Sequence, residues 1–285
     1  MPVPTVLAYR HLFHAGNFAD VFKHAAVVQL ATLIGRKDKP FLYLDTHAGT
    51  GQYDLAQGWA QKNKEYEGGI GRIFDRSDCP ESVRPYLDAV HAYNPDGQLR
   101  FYPGSPLLVH RLLRVDDRMV LTELNRDDCG RLRKHFQGNR RVQVRNMDGF
   151  QALKAFLPPQ ERRGLILVDS AFDRMNEYAH ILEALTAAHK RFAIGVFAIW
   201  YPLMESVAVS EFEQSVTNCG VRKVLKLELS IHPGNWQASL RGSAMLLVNP
   251  PYGFDDIAAP MLHWLWKALS PDGNGRYRVK WLVKE

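Results

Sequence analysis

Short apolar runs alternate along the chain with longer segments whose apolar positions recur every three or four residues. A helical pattern from about Ala15 to Gly35 leads into the run FLYLDTHAGTG. Four further runs follow, MVLTEL (119–124), VQVRNMDG (142–149), GLILVDSAF (164–172) and FAIGVFAIWY (192–201), with room for one helix between each consecutive pair. Strand, helix, strand in this rhythm predicts right-handed crossovers and a parallel sheet covered by helices on both faces. After Cys219 the pattern changes. VRKVLKLELSI and SAMLLVNPPY, joined by HPGNWQASLRG, predict an antiparallel hairpin closing the sheet. The stretch from Tyr53 to about Gln98 has helical spacing and no convincing strand, so it reads as a helical insertion (53–98) within a single domain (1–285).

Composition narrows the class. The 285 residues, 46% hydrophobic and 23% charged, suffice for a full core. The longest apolar stretch, Phe192 to Met204, is too short to cross a bilayer, and MPVPTVLAYR lacks the order of a signal peptide, so no membrane role and a cytoplasmic location are expected. Cys79, Cys129 and Cys219 lie far apart with no CxxC, which predicts reduced thiols and neither a disulfide framework nor a cysteine zinc site. A net charge of +6 favours a polyanionic partner, because each phosphate contacted releases counterions.

In an open parallel sheet, ligands bind beyond the carboxyl ends of the strands, so the residues that end the strands carry the chemistry. The first strand ends in Asp45-Thr46-His47-Ala48-Gly49-Thr50-Gly51, where two glycines permit a tight turn and close backbone approach. The loop is neither GxGxxG nor a phosphate loop; acidic and poor in cations, it suits a cationic ligand such as a sulfonium. Glu123 ends the next strand, where a carboxylate can accept both ribose hydroxyls of an adenosine moiety. Asp148, before Gly149, can accept from an adenine amino group. Each acid has a plainer alternative as the N-cap of the following helix. The fourth strand ends in Asp169-Ser170-Ala171-Phe172, an acid with an aromatic three residues on that can stack on a base.

Taken together, Tyr9-Arg10-His11, Phe13-His14-Ala15-Gly16-Asn17, Asp20, Lys23-His24, KPFLYLDTHAGTGQY, Tyr102-Pro103-Gly104-Ser105-Pro106, Leu121-Thr122-Glu123-Leu124, Asp148-Gly149-Phe150, RRGLILVD and Trp200-Tyr201-Pro202 closely resemble the bacterial RlmJ (YhiR) family. The likeness runs in one register from about residue 9 to the end. It implies a Rossmann-like class I methyltransferase fold and S-adenosyl-L-methionine as cofactor. The implied acceptor is the N6 of an adenine in 23S ribosomal RNA, and the expected state is a monomer without metal. By matched motif, His24, His47, Ser105, Glu123, Asp148, Gly149 and Asp169 would line the cofactor site, and Tyr9 would meet the RNA. Asp169 would be catalytic: it and the carbonyl of Ser170 would hold the adenine amino group, with Phe172 stacking on the base.

Where the family carries Asp-Pro-Pro-Tyr, this chain has Asp169-Ser170-Ala171-Phe172. Losing two prolines removes about 0.4–1 kcal/mol of preorganisation each, which implies a reduced rate rather than lost binding. Asn249-Pro250-Pro251-Tyr252 mimics such a catalytic loop. It ends the second strand of the closing hairpin, so it should open on the far side of the sheet. His11, His14 and His24 near Asp20 form only a weak metal pattern. Two other classes stay open on the residues alone: a catalytically weakened relative that binds nucleic acid or cofactor, and a nicotinamide oxidoreductase, against which the missing GxGxxG counts.

Overall fold

The computed structural model describes residues 14–57, 60–172, 176–204, 206–233, 240–270 and 272–284. Helix α1 (Phe18–Gly35) opens on Asn17, whose side chain accepts from the amides of Ala19 and Asp20. It is buried on all sides, as expected of a helix apolar all round. By length and composition it could cross a membrane, but 83% of that window is buried inside the fold. Strand β1 (Leu42–Asp45) follows. A crossover of β2 (Gln52–Asp54), α2 (Ala60–Asn63), two 3-10 turns (Glu65–Gly68 and Ile70–Arg72), α3 (Arg84–His91), β3 (Phe101–Pro103) and α4 (Ser105–His110) leads to β4 (Arg118–Thr122). Then come α5 (Arg126–His135), β5 (Val142–Arg145), α6 (Gly149–Phe156), β6 (Gly164–Val168), α7 (Glu177–Arg191), β7 (Val196–Pro202) and α8 (Ser206–Asn218). The chain finishes with β8 (Val224–Ser230), β9 (Gly242–Val248), α9 (Phe254–Leu269) and β10 (Arg276–Val283).

Eight described strands form one sheet in the order β10-β8-β9-β7-β6-β1-β4-β5. From β5 to β7 every pairing is parallel; β9 runs antiparallel to both β7 and β8, and β10 antiparallel to β8. The fold is thus the α/β, mostly parallel Rossmann-like sheet with an antiparallel closing hairpin that the residue pattern predicts. Side chains alternate across it with period two. Tyr43, Leu121, Leu165, Leu167 and Trp200 join α1, α3, α4 and α9 in one core. Leu44, Val120, Ile166, Val168 and Ile199 join α6, α7 and α8 in the other. Both faces are therefore dry, which is why these strands read as unbroken apolar runs.

The structure departs from the sequence expectation in three places. Strands β1, β4, β5 and β6 stop two or more residues before the ends of their runs, leaving those residues as loops above the sheet, while β7 starts four residues into its run. The segment after Tyr53 contains only short helices, and Tyr53 itself lies in β2, whose antiparallel pairing with β3 pinches the base of the segment. Finally, β10 is an edge strand that the apolar-run criterion passes over, since Arg276, Arg278 and Lys280 alternate with Tyr277, Val279 and Trp281.

Candidate functional site

The chain order reverses at β1, which lies between β4 and β6, so a crevice opens above its carboxyl end. Asp45 closes β1 there and is fully buried. Its carboxylate accepts from the hydroxyls of Tyr43 (2.9 Å) and Ser105 (2.7 Å) and from the His47 amide (3.3 Å). Burial pushes the Asp45 carboxyl up to about 6 against those hydrogen bonds, with Asp169 adding to the rise. The following turn needs glycine: Gly49 and Gly51 adopt φ of 62° and 86°, and a Cβ on Gly49 would lie 2.5 Å from the Tyr53 hydroxyl.

Asp169, just past β6, is gripped from α1. The Lys23 ammonium lies 2.5 Å from Asp169 and 2.8 Å from Asp20, and it faces the Trp200 ring at 5.5 Å. Burial works against this ammonium, but the charges of Asp169 and Asp20 outweigh it and hold its pKa above the ordinary lysine value. Asp20 also accepts from the Gly16 amide at 3.0 Å. Beside this triad lies a cavity of about 690 Å³, walled by Lys23, Asp169, Phe172, Trp200, Glu65 and Arg72 among others. The buried Trp200 indole N–H has no hydrogen-bond partner among the described residues. Phe172 takes a left-handed φ of 52° and packs edge-on against Tyr178 and Trp200. The segment between β1 and β4 reaches the cavity through Glu65, which binds His14 and the Asn17 side chain at 2.9 and 3.0 Å. Hydrogen bonding to Glu65 raises the His14 pKa.

The remaining residues singled out by sequence fall into two groups. Glu123, His47, Asp148 and Gly149 converge on the β1 loop. The Glu123 carboxylate accepts from the Gly49 amide (3.0 Å) and the Asn125 amide (2.8 Å), and burial raises its pKa. His47 hydrogen-bonds the Thr46 hydroxyl at 2.8 Å and meets Phe150 edge-on. Asp148 caps α6 through the amides of Phe150 and Gln151, so the plainer N-cap reading holds for one of its oxygens. A Cβ at Gly149 would sit 2.2 Å from the Thr46 carbonyl, which shows how closely the β5 and β1 loops pass. His24 and Ser170, by contrast, are buried. His24 bonds the Tyr102 hydroxyl at 2.7 Å, and the Ser170 hydroxyl has no partner among the described residues. Tyr9 and His11 lie outside the described residues. Among the described residues, no group of three or more His, Cys, Asp or Glu side chains could hold a metal ion.

Lys23 and Asp20 escaped the residue-by-residue reading of the strand ends, because both sit on a helix. The signal was available: an acid and a lysine three apart on a helix with no polar face have nowhere to go but each other or a buried partner. The Asn249-Pro250-Pro251-Tyr252 loop follows β9 and lines a separate cavity with Gly164, at the amino ends of the parallel strands. Strand direction thus removes it from the crevice.

Comparison with known proteins adds independent findings. A family model described as Ribosomal RNA large subunit methyltransferase D, RlmJ, matches residues 38–283. The chain is 42% identical over 280 residues to the Ribosomal RNA large subunit methyltransferase J of Escherichia coli (strain K12), covering 98% of this chain and 100% of that protein. The protein of the same name from Haemophilus influenzae is 40% identical over 281 residues, with the same coverage. A crystal structure of a Legionella pneumophila protein superposes with a TM-score of 0.88 at 34% identity, covering 94% of this chain and 98% of that one.

Proposed function

The chain belongs to the RlmJ family of large-subunit ribosomal RNA methyltransferases, and from that premise we propose that it methylates the N6 of an adenine in 23S ribosomal RNA at the crevice headed by Asp169. The observation that carries this reading is the buried Lys23–Asp169–Asp20 triad opening on a cavity of about 690 Å³ walled by aromatic rings. A single base fits such a space, with room for its flanking sugar and phosphate.

S-adenosyl-L-methionine, when bound, supplies an electrophilic methyl group. The residues present suit such a cation. Asp45, Glu123, Asp169 and Asp20 outweigh the charge of Lys23 around the crevice, and the turn through Gly49 and Gly51 leaves the backbone bare. Glu123 and His47, with the Asp148-Gly149 turn, would hold the adenosine portion. Ser105 and His24 would support the site from below, Ser105 through Asp45 and His24 through Tyr102.

At the acceptor, an aromatic amine is a poor nucleophile while its lone pair is delocalised into the ring. The Asp169 carboxylate and the Ser170 carbonyl would accept its two N–H bonds and so concentrate electron density on nitrogen. Lys23 holds the Asp169 carboxylate in place at 2.5 Å, and Asp20 shares the same ammonium at 2.8 Å. Once methylated, the amino nitrogen carries a strongly acidic proton, for which even a salt-bridged carboxylate is base enough; Asp169 takes it and releases it to solvent. The unpartnered Trp200 N–H would donate to a ring nitrogen, while Phe172 and Trp200 flank the base. The segment 53–98 would form the outer wall through Glu65 and Arg72, making it part of the acceptor site rather than a cover for the sheet.

The test is methyl transfer from labelled cofactor to unmodified 23S ribosomal RNA. Asp169→Ala and Asp169→Asn should each lower the transfer rate by about 10²–10⁴-fold. Transfer within threefold of wild type in both would remove Asp169 from the mechanism.

A further inference from the structure

We propose that the end of the sheet opposite the crevice is a second RNA-binding surface. There the substrate RNA lays its phosphates along Arg36, Lys37, Lys39 and Arg162 and stacks a base on Tyr252. The inference rests on the reading of ribosomal RNA as substrate and adds an anchoring point that the transfer chemistry does not use.

A concave space of about 900 Å³ opens at this end, walled by the turn after α1, the start of β6 and the loop after β9. Five cations line it (Arg36, Lys37, Lys39, Arg162 and Arg163) against one acid, Asp38. Arg163 is already committed: its guanidinium donates to the carbonyls of Ile34 and Lys39. Arg114 likewise donates to the carbonyls of Lys37 and Lys39, both at 2.6 Å. These bonds cover one carbonyl of the last turn of α1, Ile34, and two in the turn that follows it, all of which would otherwise repel a phosphate. The exposed side chains of Arg36, Lys37, Lys39 and Arg162 make no ion pair among the described residues, so their charge faces the cavity uncompensated.

The aromatic is held outward rather than left loose. Tyr252 is fully exposed, at 105% of its reference area, and Ile194 beside the cavity is 71% exposed. Asn249 takes a left-handed φ of 51°, and its side-chain amide donates to the carbonyls of Ala193 (2.7 Å) and Gly195 (3.0 Å). Two prolines and Gly253 at φ 72° complete a stiff turn that presents the ring to solvent. A rigid exposed ring beside unpaired cations is the arrangement by which proteins hold single-stranded nucleic acid, the cations tracking the backbone and the ring taking a base. A second copy of the chain is the wrong occupant, because a symmetric interface here would set cations against cations.

The experiment measures affinity for an unmodified 23S ribosomal RNA transcript between about 50 and 200 mM salt. It compares wild type, the triple variant Lys37→Glu/Lys39→Glu/Arg162→Glu, and Tyr252→Ala. Calorimetric binding of S-adenosylhomocysteine, unchanged in each, establishes that the variants are folded. The triple variant should bind RNA at least tenfold more weakly. Its slope of log K against log salt should be shallower by about two to three, at about 0.7–0.9 for each phosphate no longer neutralised. Tyr252→Ala should bind roughly fivefold more weakly with its slope unchanged. In both, KM for RNA should rise while kcat at saturating RNA holds. Wild-type affinity and slope in both variants would overturn the proposal, as would loss of binding to phosphatidylglycerol vesicles with RNA binding intact. Failure of the underlying reading looks different, since wild type would then transfer no methyl group to 23S RNA at all.

Discussion

Asp169-Ser170-Ala171-Phe172 and Asn249-Pro250-Pro251-Tyr252 share a spacing, a short polar residue followed three positions later by an aromatic, yet they stand at opposite ends of one sheet. At the crevice end the polar member is an acid bound to a buried lysine, and the aromatic folds inward against Tyr178 and Trp200. At the far end the polar member ties two carbonyls, and the aromatic points into solvent among unpaired cations. By its prolines the second loop is the better match to an amino-methyltransferase motif. What separates them is strand direction, since β9 runs against β7 while β6 runs with it. A motif's chemistry therefore belongs to the end of the strand it tops and to the charge gathered there.

The two ends should break differently. The largest effect is expected for Lys23→Met, which strands Asp20 and Asp169 in the interior. A loss of about 3–5 kcal/mol in a denaturant melt is expected, and Asp20→Asn added to Lys23→Met should recover part of it. A loss under about 1 kcal/mol would mean that water reaches the triad. Next comes Asp45, whose folded pKa stands above its ordinary value. A carboxyl raised from 3.8 to about 6 binds its proton more tightly when folded, so its contribution is fully present below pH 4 and is lost as pH rises through about 6. The change is about 3 kcal/mol, at ~1.36 kcal/mol for each tenfold change in acidity. Stability measured from pH 4 to 7 should flatten in Asp45→Asn relative to wild type; parallel curves would show that Asp45 stays ionised throughout.

Smaller effects test the loops themselves. Asn249→Ala should cost about 1–2 kcal/mol, from two missing hydrogen bonds and a left-handed residue without its usual tolerance. Because that loop is remote from the crevice, kcat should hold, and a kcat reduced in step with stability would erase the distinction between the two ends. Smallest is Ser170→Pro with Ala171→Pro. Restoring the restricted loop should raise the single-turnover rate by roughly two- to fivefold for each proline, the equivalent of about 0.4–1 kcal/mol each. A slower rate would show that the left-handed Phe172 needs the freedom those residues give it.

Strands β1, β4, β6 and β7 were legible because both of their faces are dry, which turns each into a largely apolar run. Strand β10 was not, although Arg276 to Trp281 alternates cleanly, because an edge strand with one wet face resembles a polar connector when apolar runs are the criterion. Strands β2 and β3 are three residues each, too short to show any period. The site divides in the same way. Asp45, Glu123, Asp148 and Asp169 stand at strand ends, where topology alone marks them as candidates. Lys23 and Asp20 come from a helix that topology leaves unassigned, and only the absence of a polar face on α1 betrays them.

Helix α1 also has a history before the fold exists. It is apolar all round, yet among the elements that bury it are β6, β9 and α9, and α9 lies roughly 200 residues further along the chain. At about 5–20 residues per second on the ribosome, the helix would wait on the order of ten to forty seconds for its last covering surface. Through that interval it would present the length and hydropathy of a membrane span to whatever reads nascent chains. The Asp20–Lys23 pair that later steadies the acceptor site would then be the helix's mark of a different destination, two charges near one end of a segment that would otherwise pass for an anchor.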